Sequence, residues 1–300
     1  MPPTDPSSAP LDLVTGAFGN TGSAIADRLL DQGRQVRTLT GHPPADPDPR
    51  IELRAFNWGD PERLAASFDG VTTFYNTYWM RTGDDKGHFD LAVDRCNQLI
   101  QAAETAGVER IVHLSVGNPS LDSPYPYFRG KAQVEQRLAE SPIPAAVIRP
   151  SLIFGGENAM LNDLAWVLKR LPVFAVPGDG QYMVRPVHLD DVVDLCLDAG
   201  TRRERTTIDA IGPDRFTYQV MIESVRDAVG AKSRIVHTPA PLVLAGARVL
   251  GAVLRAKLLT RDELLSTIDG IADAEGPATG SVSFFEWLPT EADDLGVKRA

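Results

Sequence analysis

From residue 11 to about residue 150 the chain alternates short apolar runs with longer stretches of helical spacing. Residues 11–14 read as a buried strand, and residues 19–33 carry Ile25, Leu29 and Leu30 on one helical face before a glycine stop. Residues 36–40 and 51–56 predict the next two strands, residues 61–68 a short helix, and residues 71–75 a fourth strand. Between 89 and 106, Leu91, Cys96, Leu99 and Ile100 line one side of a long amphipathic helix that Gly107 ends. A fifth strand is expected at 110–115, a helix at 127–140 and a sixth strand at 145–148. Such alternation predicts an α/β chain with a doubly wound parallel sheet. After Pro150 the rhythm loosens. Helices near 161–171, 190–199 and 218–229 alternate there with strands at 206–210 and 234–237, before helical patterns at 242–259 and 261–274.

Composition narrows the class. Forty-three per cent hydrophobic and 23% charged residues suit a globular protein and exclude fibrous or disordered classes. A formal net charge of −10 makes nucleic acid a poor partner. Arg202, Arg203 and Arg205 form the one basic cluster and read as a solvated loop. Cys96 and Cys196 sit in apolar helical patterns, so buried free thiols are expected rather than a disulfide. Residues 1–10 are rich in Pro and Ser and lack the basic and apolar regions of a secretory signal; they read as a disordered tail. Arg248, Arg255 and Lys257 interrupt the most apolar stretch, which argues against a membrane span. A cytoplasmic protein, monomer or homodimer, with no membrane partner is the expectation.

The first strand runs into Gly16-Ala17-Phe18-Gly19-Asn20-Thr21-Gly22 and then a helix. In such a turn the first glycine allows the tight bend, the second lets the backbone approach a pyrophosphate, and the third permits close helix packing. Free N–H groups at the helix start then face the phosphates. Residues 11–155 therefore read as a dinucleotide-binding Rossmann-type core, with 156–300 as a smaller C-terminal substrate lobe that returns elements to it. The end of the second strand, where an acidic residue would bind the adenosine ribose, holds none before Asp46. That favours NADP weakly over NAD, with His42 or Arg37 available to the extra phosphate.

Tyr127 and Lys131 stand four residues apart at the start of a helix, on one face. A nearby ammonium favours phenolate, so such a tyrosine can exchange a proton as hydride moves. The glycine turn, Tyr127 and Lys131, the run Arg149-Pro150-Ser151-Leu152-Ile153-Phe154-Gly155 and the run Val187-His188-Leu189-Asp190-Asp191-Val192-Val193 occur in this order. Together they resemble the extended short-chain dehydrogenase/reductase superfamily over residues 11–200, and within it the atypical NmrA-like, NAD(P)H-binding group with its epimerase/dehydratase-like members. The resemblance implies Tyr127 as acid/base and Lys131 as its partner and a holder of the nicotinamide ribose. It implies a cofactor site built from Gly16, Phe18, Gly19, Asn20, Thr21, Gly22, His42, Asn57, Trp58, Asn76, Thr77, Tyr78, Lys131, Pro150 and Ile153. Two positions depart from the family pattern. Gly117 stands where a Ser or Thr is usual, which makes Ser115 the first choice of a substitute, ahead of Asn118, Ser120 and Ser123. Val184 stands where nucleotide-sugar members carry a phosphate-binding Arg, with Arg185 one step away.

Trp79, Phe154, Asn158 and Arg185 are the candidate substrate contacts, with Glu157 a neighbour and Tyr78, Tyr125 and Trp166 as further aromatic walls. A small planar or aromatic carbonyl or enone suits such walls. His42, His88, His113, His188 and His237 have no ligand spacing, so no metal is expected. His113 reads as a packed strand residue, and Asp190 and Asp191 as helix caps. Three functions compete: an NAD(P)-dependent oxidoreductase, a sugar epimerase or dehydratase that retains its cofactor, and a non-catalytic NAD(P)-binding sensor or accessory protein. The first is the leading reading, and retention of both Tyr127 and Lys131 favours catalysis over the third.

Overall fold

The computed structural model describes residues 9–80, 88–156, 159–254 and 261–297. In chain order the elements are β1 (Leu11–Val14), α1 (Asn20–Asp31), β2 (Gln35–Leu39), β3 (Ile51–Arg54), α2 (Pro61–Ala66), β4 (Val71–Asn76), α3 (His88–Ala106), β5 (Arg110–Leu114), α4 (Pro126–Glu140) and β6 (Ala145–Pro150). There follow β7 (Ile153–Phe154), α5 (Ala159–Arg170), β8 (Val173–Pro177), β9 (Met183–Val184), β10 (Val187–His188), α6 (Leu189–Thr201) and β11 (Thr206–Ala210). The last are β12 (Phe216–Thr217), α7 (Tyr218–Ala228), β13 (Arg234–Thr238), α8 (Ala240–Leu254), α9 (Arg261–Ile268) and α10 (Phe284–Glu291).

One compact unit takes the chain up to Arg149 together with Val192–Ile208. Its sheet has the order β11-β6-β5-β4-β1-β2-β3, and every pair from β3 to β6 is parallel. The α/β, doubly wound, Rossmann-type class read from the sequence is the observed one. Strand order reverses between β1 and β4, so their carboxyl ends border the crevice where open α/β sheets bind ligands. Successive β4 side chains point to opposite faces. Phe74 enters the core that α2, α3 and α4 cover, with Leu13, Leu99, Ile111 and Val134. Tyr75 faces the other way, against α6, where a Cβ on Gly200 would come within 2.1 Å of its hydroxyl. Arg28 of α1 pairs with Asp194 of α6 at 2.8 Å, which joins the two helices of that second face. Arg110 reaches α6 as well, donating to the carbonyls of Ala199 (2.9 Å) and Glu204 (2.8 Å). Cys96 and Cys196 are buried free thiols, and burial pushes them up to about 11 and about 12.

The second unit comprises Pro150–Asp191 and the chain from Asp209 onward. The chain thus leaves the first unit at Pro150, where the sequence rhythm changes. β8 pairs with β13 in parallel, β7 with β10 in parallel, and β9 with β12 antiparallel. Phe154, Leu161, Leu168, Phe216, Ile222 and Phe284 fill its core. Strands β7, β8, β9, β10 and β12 and helix α10 were not legible in the sequence pattern. Among the described residues no helix is long and apolar enough to cross a membrane.

Candidate functional site

Thr15, fully buried at the end of β1, is the hub of the crevice. Its hydroxyl accepts the N–H groups of Thr77 (3.0 Å) and Tyr78 (3.1 Å) and donates to Asn76 Oδ1 (3.3 Å). Thr77 returns the bond, its hydroxyl donating to the Thr15 carbonyl at 2.5 Å. The end of β4 therefore holds the start of the glycine turn from below. Gly16 adopts φ +69°, a left-handed conformation that favours glycine. A Cβ on Gly22 would lie 2.1 Å from the Gly16 carbonyl oxygen, so α1 rests directly on the turn. Gly19 caps α1 with no side-chain hydrogen bond, and no acidic residue occupies the first helical turn. Gly16, Phe18 and Gly19 are exposed, with Asn20 and Thr21 half-buried behind them. Bare backbone, uncapped N–H groups and the positive end of the helix dipole fit a pyrophosphate.

α4 opens with Pro126, a residue suited to the first helical position, and its i, i+4, i+8 spacing lines up Tyr127, Lys131 and Glu135. Lys131 is 3% exposed. Its Nζ donates to the Leu114 carbonyl at 2.8 Å and lies 4.4 Å from the centre of the Trp79 ring. Burial pulls its pKa down to about 8, against the opposing pull of Cys96 and Glu135. Tyr127 is half-buried and meets Trp79, Phe89 and Phe128 edge-on at 5.8, 5.9 and 5.1 Å. The buried Ser115 hydroxyl donates to Glu135 at 2.5 Å, and Glu135 also binds the Arg149 guanidinium at 2.5 Å. That hydroxyl is committed to an ion pair.

Residues 16–160 match the family model described as NAD(P)H-binding. The match covers just under half of the chain, and this stretch is similar to NAD(P)H-binding domains. Its relatives include a mitochondrial NADH dehydrogenase [ubiquinone] 1 alpha subcomplex subunit 9 of Arabidopsis thaliana, 29% identical over 48% of this chain and 37% of that protein. The mitochondrial NADH-ubiquinone oxidoreductase 40 kDa subunit of Neurospora crassa is 26% identical over 84% of this chain and 68% of its own length. The chain thus spans little more than a third of the first relative. A nucleoside-diphosphate-sugar epimerase from Staphylococcus aureus shares the fold, with TM-score 0.73 and 13% identity over 93% of this chain and 99% of that one. The likeness to the epimerase is one of fold.

The other residues expected at the cofactor fall into distinct settings. Trp58 stacks on Phe56 at 4.6 Å and meets Tyr78 at 5.6 Å, and the Arg95 guanidinium lies 5.0 Å over the Trp58 ring. Arg95 also donates to the Tyr78 hydroxyl at 3.1 Å, and burial raises that phenol. Asn57, at φ +46°, donates to the Ala55 carbonyl and shapes the same loop. Asn76 is fully buried, so its side chain organises the turn from beneath rather than lining the open crevice. His42 is exposed just past β2, its N–H on the Thr40 hydroxyl. Arg37 is 8% exposed and already occupied by Glu52 (2.8 Å) and the carbonyls of Ser67 (3.0 Å) and Asp69 (2.8 Å). The Thr40 N–H pairs with the Arg54 carbonyl at 2.9 Å, which brings Arg54, bonded to Glu52 at 2.5 Å, beside the tip of β2.

In the second unit, Pro150 is buried at the end of β6, and Ile153 is half-buried in β7 opposite Val187. Phe154, expected at the substrate, is fully buried and enclosed by His188, Phe284 and Trp287; this corrects its role to packing. Arg185, also expected at the substrate, donates instead to the carbonyls of Gly212 (3.0 Å), Ala274 (3.3 Å) and Gly276 (2.7 Å). Three backbone partners use its guanidinium to tie loops together. Asp191 does not cap α6: its carboxylate accepts from Ser281 and the Val282 N–H. Asn158 and Glu157 lie outside the described residues. Tyr125 is buried and Trp166 lies under Arg170 at 4.5 Å. The Arg202, Arg203 and Arg205 loop is exposed but paired, with Asp198, Glu109 and the carbonyls of Leu138 and Ser141 respectively.

Among the described residues no group of three or more His, Cys, Asp or Glu is placed to hold a metal ion. A cavity of about 510 Å³ lies apart from the glycine turn, lined by α4, β6 and β11 residues such as Gln136, Arg149 and Thr207. Sequence reasoning missed Thr15, whose role depends on the adjacency of β1 and β4. The small polar residue directly before the first glycine was the one available signal.

Proposed function

We propose that this chain is an NAD(P)-dependent oxidoreductase of the cytoplasm, acting on a small planar or aromatic carbonyl or enone. The bound dinucleotide would supply or accept the hydride. Tyr127 would donate the proton to the substrate oxygen on reduction, or take it on oxidation. Lys131 would supply the partner charge and hold the nicotinamide ribose. The observation that supports this reading is a buried ammonium, lowered to about 8, placed one helical turn after a phenol on the same side of α4. An ammonium that titrates near working pH is suited to proton exchange. Aromatic rings beside Tyr127 supply the apolar wall that a planar substrate needs. NADP stays the favoured cofactor, because the chain carries no acidic residue from the end of β2 up to Asp46.

An accessory, non-catalytic role is the second reading. Ser115, the chosen substitute for the usual Ser or Thr, is bonded to Glu135, and two relatives carry the names of NADH dehydrogenase subunits. An epimerase or dehydratase is less supported, since Arg185 is committed to backbone carbonyls.

One comparison separates the readings. The purified protein is analysed for co-purifying dinucleotide, then NADPH and NADH oxidation is followed against carbonyls, enones and quinones. Turnover that Tyr127→Phe lowers by about a hundredfold or more supports the oxidoreductase. Turnover indifferent to that change overturns the role of Tyr127. Tight dinucleotide binding without turnover transfers the case to the accessory reading.

A further inference from the structure

An indole wedged between the two reactive groups of α4 is the feature that neither the sequence motif nor the family match accounts for. Trp79 leaves the end of β4 and lies against α4 at Gly130, the residue between Tyr127 and Lys131 that carries no side chain. A Cβ there would come within 3.2 Å of Trp79 Cη2 and of Val93 Cγ2. Gly130 has no left-handed backbone to justify it, and glycine inside a helix costs about 1 kcal/mol against alanine. Its place on α4 is explained by the ring it admits. That ring then touches both neighbours: Lys131 Nζ sits 4.4 Å from its centre, and Tyr127 meets it edge-on at 5.8 Å. Phe89 stacks behind it at 6.2 Å.

We propose that Trp79, seated on Gly130, is the positioning residue of the Tyr127–Lys131 pair: its face holds the ammonium and its bulk keeps water from it. The ammonium has three donors, and the Leu114 carbonyl takes one. A cation over an indole face is attracted to the ring electrons, more strongly when water is excluded. The same ring removes solvent from Lys131, the cause that dominates its lowered titration. The charged and titratable groups around Lys131 are Cys96 from α3, His113 from β5 and Glu135 from α4. Burial keeps His113 neutral, well below its ordinary value, so it adds no competing charge. This inference rests on the reading of Tyr127 and Lys131 as the reacting pair, but its physical content concerns the protein alone.

The test is made on the full chain without added dinucleotide. Competitive acylation with acetic anhydride, read on the Lys131 peptide by mass spectrometry, gives the titration midpoint and limiting reactivity of that amine. The wild type should titrate near 8. Trp79→Phe keeps a ring and should stay close to it. Trp79→Leu admits water and should raise the midpoint by about one pH unit or more, with a severalfold faster limiting rate. Gly130→Ala, which pushes on the ring, should move both readings in the same direction by less. A folded Trp79→Leu chain with unchanged Lys131 titration and rate overturns the proposal. If that variant fails to fold, an unchanged Lys131 in folded Gly130→Ala does the same. Dinucleotide binding is measured separately by fluorescence. Shifted Lys131 titration in a chain that binds no dinucleotide would sustain the positioning role and remove the redox reading.

Discussion

Gly22 has no room for a side chain, and its neighbour cannot yield, because a methyl there would stand 2.1 Å from the Gly16 carbonyl oxygen. Gly22→Ala should destabilise the chain by about 2–4 kcal/mol and abolish dinucleotide binding, read by urea denaturation and by NADPH fluorescence. An unaltered affinity would show that the turn does not hold the cofactor. Thr15→Val keeps the shape but leaves the Thr77 N–H without its acceptor and the Tyr78 N–H with Asn76 Oδ1 alone. A cost of about 1–3 kcal/mol is expected, with weaker dinucleotide binding as the turn loosens. At this scale the turn was legible, since three glycines spaced in this way between a strand and a helix suit a phosphate-binding bend. Nothing in the local pattern signalled that Phe154 would be enclosed by Phe284 and Trp287, or that Arg185 would bind Gly212 and Gly276. Those partners lie far along the chain, and local spacing carries no information about them. Ser115 differs: Glu135 lies one turn beyond Lys131, so the same helical spacing that paired Tyr127 and Lys131 aligns Glu135 with them.

Helix α4 carries a stability signature that follows from Lys131. Folding lowers its pKa from 10.5 to about 8, so the folded chain binds that proton less tightly than the unfolded chain. Below about pH 8 both states are protonated and the burial cost is fully present. As pH rises through 8 toward 10.5 the unfolded chain holds more protons, and this group's contribution to stability rises. Denaturation midpoints of wild type should therefore gain on those of Lys131→Met across that interval, and parallel curves would contradict it. Helix α6 depends on Gly200, where a methyl would meet the hydroxyl of the buried Tyr75. Gly200→Ala should cost about 1–3 kcal/mol in thermal or denaturant unfolding, with dinucleotide affinity retained in the folded fraction. The first six of the seven strands in this sheet were legible as apolar runs bounded by glycine, proline and charge. Strands of two residues, such as β7, β9, β10 and β12, are too short to show any period. Helix α10 contains Pro289 and a cluster of aromatics, which hid its helical spacing.

At the scale of the molecule, the chain enters its first unit twice. Residues Val192–Ile208 bring back α6, whose Ala199 carbonyl Arg110 binds, and Arg205, which binds the carbonyls of Leu138 and Ser141. A fragment ending at Arg149 lacks the outermost strand and these partners. It should unfold without cooperativity or aggregate, whereas the same fragment joined to residues 192–208 by a flexible linker should melt cooperatively, as calorimetry can read. Equal behaviour of the two would mean that the returning segment adds little. The sequence pattern set the boundary after residue 155, with later elements returning to the core; the chain leaves the first unit at Pro150 and returns over Val192–Ile208.

The occupied guanidinium of Arg37 sets a limit on engineering. Because it already clasps Glu52 and two main-chain oxygens beside α2, exchanging it would loosen the join between β2 and β3 before it altered any preference between coenzymes. Redesign toward one dinucleotide or the other has to begin at His42 and Arg54, whose side chains stand in solvent and can be replaced without unpicking the sheet.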